Sequence, residues 1–270
     1  RLPITLAPEE RRTLDEVARL HVQAVLGACN NNQTNAARVL GIDRKTLARR
    51  LDGWGITVVA QRPGLRPGSL LAIEGIDGAG ITTQARRLAA SLNERGHRAI
   101  VTQEPSAGPI GELIRTLLAS HDVLPPSGAV RTFSLLFAAD RVDHFHRVVA
   151  PALSSGTTVV SDRWYHSSLA YQRTGVERDW IAALNRYTQT PDVTIVLDVP
   201  PEIGRERRLA AGRKPEFFHD TATQQDIVAG YRATIAELRA AGERVESIDG
   251  RPSEDVVFAA ILRTLALDRR

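Results

Sequence analysis

The chain has 270 residues, 43% hydrophobic and 24% charged, so it is long enough for one large domain and a small one, each with its own packed core. A formal charge of +4 and a pI near 9.7 direct attention to an anionic partner, nucleic acid or nucleotide, while a single cysteine excludes an internal disulfide and a cysteine-based metal cluster. No apolar run approaches the ~20 residues of a membrane span and the first residues lack the apolar centre of a signal peptide, so the expectation is a soluble cytoplasmic protein with no membrane partner. Methionine is absent altogether, which leads to the expectation that the chain does not begin where its gene begins.

Between Glu9 and Leu26 the apolar positions Leu14, Val17, Ala18, Val22, Val25 and Leu26 recur at helical spacing, and Cys29 beyond them reads as a core residue. The polar run Asn30 to Thr34 ends that helix. Asn35 to Ile42 then reads as a short helix closed by Gly41, and Asp43 caps a second short helix from Arg44 to Leu51. Two short helices about a glycine-containing turn, the second basic, form a helix-turn-helix. Residues 9–56 resemble the Fis-type DNA-binding domain of bacterial transcription regulators, through Thr34-Asn35-Ala36-Ala37-Arg38-Val39-Leu40-Gly41-Ile42-Asp43-Arg44-Lys45-Thr46-Leu47 and the closing Trp54-Gly55-Ile56. The resemblance implies a homodimer formed through the first helices and bound to double-stranded DNA, with the second helix of the motif in the major groove. On position alone, Arg44, Lys45 and Thr46 stand at the N-terminal end of that helix, where side chains reach base edges, and Arg49 and Arg50 suit phosphates. A solvated basic face on a helical protein-interaction module accounts for the same charges. We place this domain at residues 1–57, followed by a linker over residues 58–69, where Pro63-Gly64 and Pro67-Gly68 break any helical period.

From Leu70 to the end, strand-like runs alternate with helical segments, the pattern of an α/β domain with a parallel sheet and helices on both faces. Strands are predicted over Leu70 to Glu74, Ala99 to Thr102, Thr157 to Ser161, Val193 to Val199 and Val245 to Ile248. The first runs into Gly75, Gly78 and Gly80, and then into a helix with Ala85, Leu88, Ala89 and Leu92 on one face. Strand, glycine loop and helix N-terminus together cradle phosphate, here through Gly75, Gly78, Gly80, Thr82 and Thr83. The spacing G-x-x-x-x-G-K-[ST] is met by Gly75, Gly80 and Thr82 but fails at Ile81, where a lysine is expected. Lysine occurs only as Lys45 and Lys214 in this arginine-rich chain, so drift in composition would have put arginine there rather than isoleucine. Ligands gather at the C-terminal ends of such strands, where Gln103-Glu104-Pro105 and Asp162-Arg163 also fall. Asp162 can hold a magnesium ion with Thr82, partly through water, and Arg163 can fork onto phosphate oxygens; a structural ion pair suits the same two residues. His144 and His146 do not share a helix face, which disfavours a metal site between them.

Residues 70–270 resemble thymidylate kinase, a P-loop nucleoside monophosphate kinase. The resemblance rests on Glu74-Gly75-Ile76-Asp77-Gly78-Ala79-Gly80, Leu136-Phe137-Ala138-Ala139-Asp140-Arg141, Ser161-Asp162-Arg163-Trp164, Ser167-Ser168-Leu169-Ala170-Tyr171-Gln172 and the stretch from Pro191 to Pro200. It implies ATP with Mg2+ at the glycine loop and dTMP or a related thymidine nucleotide beside it. Phe137 would stack on thymine, Arg141 bind its edge, Asp77 approach the sugar 3′-hydroxyl and Tyr171 sit near the sugar. Gln172 and Arg163 would complete the monophosphate site. Without the family, Phe137 reads as core, Arg141 as a partner of Asp140 or Asp143, and Asp198 as a strand end. Besides Ile81, the chain departs from the family at Thr102-Gln103-Glu104-Pro105-Ser106-Ala107, where an arginine is missing, and in the lid, Gly212-Arg213-Lys214-Pro215-Glu216-Phe217-Phe218. Arg213 and Lys214 can swing over the phosphates, joining Asp162 and Arg163 as candidate catalytic residues. The expectation is a thymidylate-kinase-like nucleotide-binding protein tethered to a DNA-binding module, a nucleotide-responsive transcription regulator with weak or absent phosphoryl transfer. The alternative is an active kinase, ATP and dTMP to ADP and dTDP, whose helical module dimerises or localises it; an adaptor with neither site working is the third. The bacterial cytoplasm is expected, with nucleoid association if DNA is bound.

Overall fold

The computed structural model describes residues 12–29, 33–56, 65–120, 124, 126–173, 175–212, 218 and 221–267, in two compact units divided between Arg62 and Pro63. The smaller unit holds α1 (Leu14–Ala28), α2 (Gln33–Val39) and α3 (Arg44–Gly53). Thr13 starts α1 with a capping box: the Glu16 N–H donates to Thr13 Oγ1 at 3.2 Å and the Thr13 N–H to Glu16 Oε2 at 2.7 Å. The helix predicted from Glu9 therefore begins at Leu14; residues 1–11, and Asn30 to Asn32 of the polar break, lie outside the described residues. Val22 and Leu26 of α1, Ala36 and Ala37 of α2 and Leu47 and Leu51 of α3 share one core, with Cys29 half-buried at its edge and its thiol pKa raised by burial. Gly41 takes a positive φ of 67° in the turn, and Asp43 caps α3 by accepting the Thr46 N–H at 2.9 Å. The Trp54 indole N–H donates to the Asp15 carboxylate at 2.9 Å, tying the end of α3 back to α1.

The larger unit is a five-stranded parallel sheet in the order β2-β3-β1-β4-β5, with β1 (Leu70–Gly75), β2 (Ala99–Gln103), β3 (Thr158–Asp162), β4 (Val193–Asp198) and β5 (Val245–Asp249). These lie within a residue of the predicted strands. The flanking helices are α4 (Ile81–Glu94), α5 (Pro109–Ala119), α6 (Pro126–His144), α7 (Ala150–Ser154), α8 (Tyr165–Tyr171), α9 (Arg178–Leu184), α10 (Pro201–Ala210), α11 (Thr221–Ala240) and α12 (Glu254–Thr264). A wide π turn, Phe145–Val149, joins α6 to α7. Central β1 is buried along its whole length, which explains its nearly continuous apolar sequence. It pairs with β3 on one side and β4 on the other, so the order of the sheet reverses at its end, where α/β sheets open a ligand crevice.

Residues 65–69 of the stretch read as linker are packed onto this unit. Leu65 is buried in its core, and the Val159 N–H donates to the Ser69 carbonyl at 2.8 Å, which extends the β1–β3 ladder backwards. Among the described residues no helix is long and apolar enough to cross a membrane.

Candidate nucleotide site and helix-turn-helix

Strand β1 ends in Gly75, and Gly78 and Gly80 follow at φ 88° and 94°, conformations that an L side chain rarely adopts. At Gly78 there is also no room: a Cβ would lie 2.2 Å from the Gly204 carbonyl oxygen, because α10 packs directly on the loop. The loop delivers the chain into the first turn of α4, whose free N–H groups and dipole favour an anion. Thr82, in that turn, donates its hydroxyl to Asp162 Oδ2 at 2.5 Å. Asp162 is placed there by register, paired with Ile73 of β1 and Gln103 of β2. A hydroxyl and a carboxylate are hard oxygen donors, the set that suits Mg2+ when phosphates and water complete it. Among the described residues no three His, Cys, Asp or Glu side chains are grouped to hold a metal by themselves. A cleft of about 1000 Å³ opens over the loop; Thr83 lines it, as do Gln103, Arg115 and Glu254 on the far walls.

Ile81 is only 5% exposed and belongs to the hydrophobic core, yet it also lines this cleft. A packed branched side chain thus stands where the phosphate-loop cation is expected. The arginine missing after β2 has a neighbour in space: Arg115 of α5 lines the cleft and donates to the carbonyls of Pro105 and Ser106 at 3.0 and 2.7 Å. Arg213 and Lys214 lie outside the described residues.

A smaller cavity of about 100 Å³ adjoins the cleft, and Asp77 and Arg163 line both. Arg163 sits at φ 73°, turning its guanidinium back under the loop. Nη2 donates to Asp77 Oδ1 at 2.7 Å, while Nη1 donates to the Gly75 carbonyl at 2.9 Å and Ser167 Oγ at 3.1 Å. Tyr171 donates its hydroxyl to the other Asp77 oxygen at 3.0 Å. Burial raises the Tyr171 pKa well above the ordinary phenol value, with Asp77 adding to the shift against Arg163, so the hydroxyl stays a donor. Burial by itself lowers the Arg163 pKa, but Tyr171, Asp77, Tyr231 and Asp162 reverse that and raise it well above the guanidinium norm.

Phe137 rests half-buried against Phe133, ring centroids 6.2 Å apart, with the cavity on its other side. Gln172 also lines the cavity; its buried Oε1 has no partner among the described residues. Arg141 is 1% exposed and stands behind the wall, with Nε and Nη2 on Glu104 Oε2 at 2.8 and 2.7 Å, Nη1 on Asn185 Oδ1, and Nη2 3.3 Å from Ser168 Oγ. Glu104 is therefore its carboxylate partner; Asp140 instead accepts from Ser106, and Asp143 pairs with Arg147.

Sequence reasoning gave no role to Glu74. Glu74, fully buried, accepts the Trp164 N–H at 2.7 Å, the Ser167 hydroxyl at 2.6 Å and the Tyr231 hydroxyl at 2.9 Å. Its signal was a lone carboxylate in an apolar buried strand, which must be saturated with hydrogen bonds to be tolerated. In the small unit, Arg44, Lys45, Arg49 and Arg50 are exposed on α3, whereas the Thr46 hydroxyl is engaged by Asp43 at 2.6 Å.

Comparison with known proteins follows this division. The model of the family described as "Thymidylate kinase" matches residues 73–261, and that of "Bacterial regulatory protein, Fis family" matches residues 13–54. The chain is similar to a thymidylate kinase of Dinoroseobacter shibae, 37% identical over 209 residues, 75% of this chain and 98% of that one. It is 40% identical to a thymidylate kinase of Thermomicrobium roseum over 204 residues, 72% and 93% of the two chains. A probable thymidylate kinase of Pyrococcus horikoshii is 36% identical over 173 residues, 63% and 84%.

Proposed function

The chain belongs to the thymidylate kinase family, and from that premise we propose that it is a thymidine-nucleotide-binding protein that reports nucleotide occupancy at DNA, with phosphoryl transfer weak or absent. One contrast along a single loop carries the reading: Asp77 holds Arg163 and Tyr171 at the acceptor end, while Ile81 stands in place of the cation at the donor end. Phosphoryl transfer is almost wholly positioning and charge stabilisation, so it suffers most from that loss. Backbone N–H groups at Gly75, Gly78, Gly80, Thr82 and Thr83 still suit ATP phosphates, and Mg2+ held by Thr82 and Asp162 would neutralise part of their charge. On the acceptor side, thymine would lie against Phe137, with the sugar at Asp77 and Tyr171 and the phosphate at Arg163 and Gln172. Arg141 would act on the base edge through Ser168, 3.3 Å away. Arg213 and Lys214 of the lid are the candidates to offset Ile81 in part. Titration with dTMP tests the site: saturable binding is expected without ATP, and none contradicts the reading.

The second reading, a working dTMP kinase, is favoured by the Thr82–Asp162 contact, which keeps the magnesium donors assembled. A coupled ADP-release assay with ATP, magnesium and dTMP separates the two: ordinary kinase turnover supports the enzyme, and its absence beside dTMP binding supports the regulator.

For the DNA-binding half, Arg44 and Lys45 would reach base edges, with Thr46 beside them, and Arg49 and Arg50 would meet phosphates. A homodimer is supported by the outward face of α1, where Leu14 is 90%, Val17 50% and Leu20 45% exposed. DNA affinity should fall steeply with salt, and Arg49→Ala should lower the slope of log K against log salt by about 1 per subunit. A slope unchanged by the substitution contradicts a phosphate contact at Arg49. Such binding would place the protein at the bacterial nucleoid.

A further inference from the structure

The loss of a cation at Ile81 has a counterpart on α10. This helix approaches the glycine loop through Gly204, where a Cβ would lie 2.8 Å from the Asp77 carbonyl oxygen. One turn further along the same face stands Arg208, whose Nη1 donates to that carbonyl at 2.7 Å. Arg208 is 6% exposed and lines the cleft over the loop, and among the described residues no carboxylate pairs with it. The other cleft arginines are differently placed. Arg163 is neutralised by Asp77, Arg207 is tied to the Gly250 and Arg251 carbonyls, Arg115 to those of Pro105 and Ser106, and Arg86 is exposed. A guanidinium this buried is costly without a counter-ion, and its remaining N–H groups can take an anion in forked geometry.

We propose that Arg208, anchored on the Asp77 carbonyl, supplies the positive charge for the outer phosphates of a nucleoside triphosphate that the phosphate loop lost with Ile81. The inference rests on the reading of the glycine loop as a nucleotide-phosphate site. It makes helix α10 a source of charge at the loop.

The test is a titration of ATP and of AMP, with magnesium, into the full chain, Arg208→Gln, Ile81→Lys and the double variant. Glutamine keeps a donor for the Asp77 carbonyl while removing the charge. Arg208→Gln should weaken ATP by about 10- to 100-fold and AMP by less than about 3-fold. In the Ile81→Lys background the same change should cost ATP less than about 3-fold, because the lysine then carries the charge. Equal losses for ATP and AMP, or the same ATP loss in both backgrounds, would mean a structural part only and overturn the proposal. Arg208→Lys should keep ATP within about 10-fold of the unmodified chain, and a lysine variant as weak as the glutamine one also overturns it. If the unmodified chain takes up no ATP, the nucleotide reading of the loop falls and this proposal with it. Uptake of ATP unaffected by Arg208→Gln removes this proposal alone.

Discussion

Ile81→Lys should raise the rate of ADP formation from ATP, magnesium and dTMP by at least about 10²-fold. Charge stabilisation of the transferring phosphoryl group by one well-placed cation is worth on the order of 10³ to 10⁵ in rate, and the lower figure allows for Arg208 holding part of that charge already. The site can take the change. Ile81 is packed in the core but also lines the cleft, so the lysine stem can keep the apolar contacts while its ammonium emerges into the cleft. A cost of ~1 kcal/mol in stability is the order expected for a substitution that keeps most of the packing. Ordinary kinase turnover in the unmodified chain, unchanged by the lysine, would show that the isoleucine disables nothing.

Arg163→Ala should lower the melting temperature by about 6 to 12 °C and dTMP affinity by on the order of 10²-fold. Breaking a buried pair by removing one partner costs about 3–5 kcal/mol, and the lower end applies because the Arg163 and Asp77 side chains keep 17% and 26% of their exposure. About 3 kcal/mol in a domain of this size is worth roughly 2–4 °C per kcal/mol. The loss propagates because Arg163 binds four things at once: the Asp77 carboxylate, the Gly75 carbonyl, Ser167 and Tyr231. Without it the Asp77 carboxylate loses its paired cation, and the acceptor cavity loses the group expected to meet the monophosphate. Thermal unfolding followed by dTMP titration checks both. A melting temperature within about 2 °C of the unmodified chain contradicts a central role for the pair.

Local sequence carried the framework well because each strand is an apolar run bounded by turn residues, and the strand ends fall out of that boundary. Hence Gly75, Asp162 and Gln103 came out at strand ends, and Asp162 beside Thr82. What local pattern does not encode is which side chains meet across the sheet. For Arg141 the resemblance implies the thymine edge and the residues alone offer Asp140 or Asp143 on its own helix, but its carboxylate partner Glu104 comes from the end of β2 and Asn185 from beyond α9. Arg163 reads as a phosphate fork or as a structural ion-pair partner of the adjacent Asp162; the fold pairs it with Asp77, 86 residues earlier. Glu74 and Tyr231 went unassigned for the same reason, since their contact spans 157 residues. Gly204 is given no role by local pattern, because only the packing of α10 on the loop shows that no side chain fits there.

Nucleotide-responsive regulation requires that the nucleotide site be coupled to the DNA-binding module. The most direct measurement is titration of the full chain with a short mixed-sequence duplex at low salt, with and without saturating dTMP and magnesium-ATP. A shift in DNA dissociation constant of about 5-fold or more is expected, the lower range of ordinary coupling free energies between sites. Superimposable titrations, with dTMP shown to be bound, would contradict nucleotide-responsive DNA binding and leave the two modules merely joined.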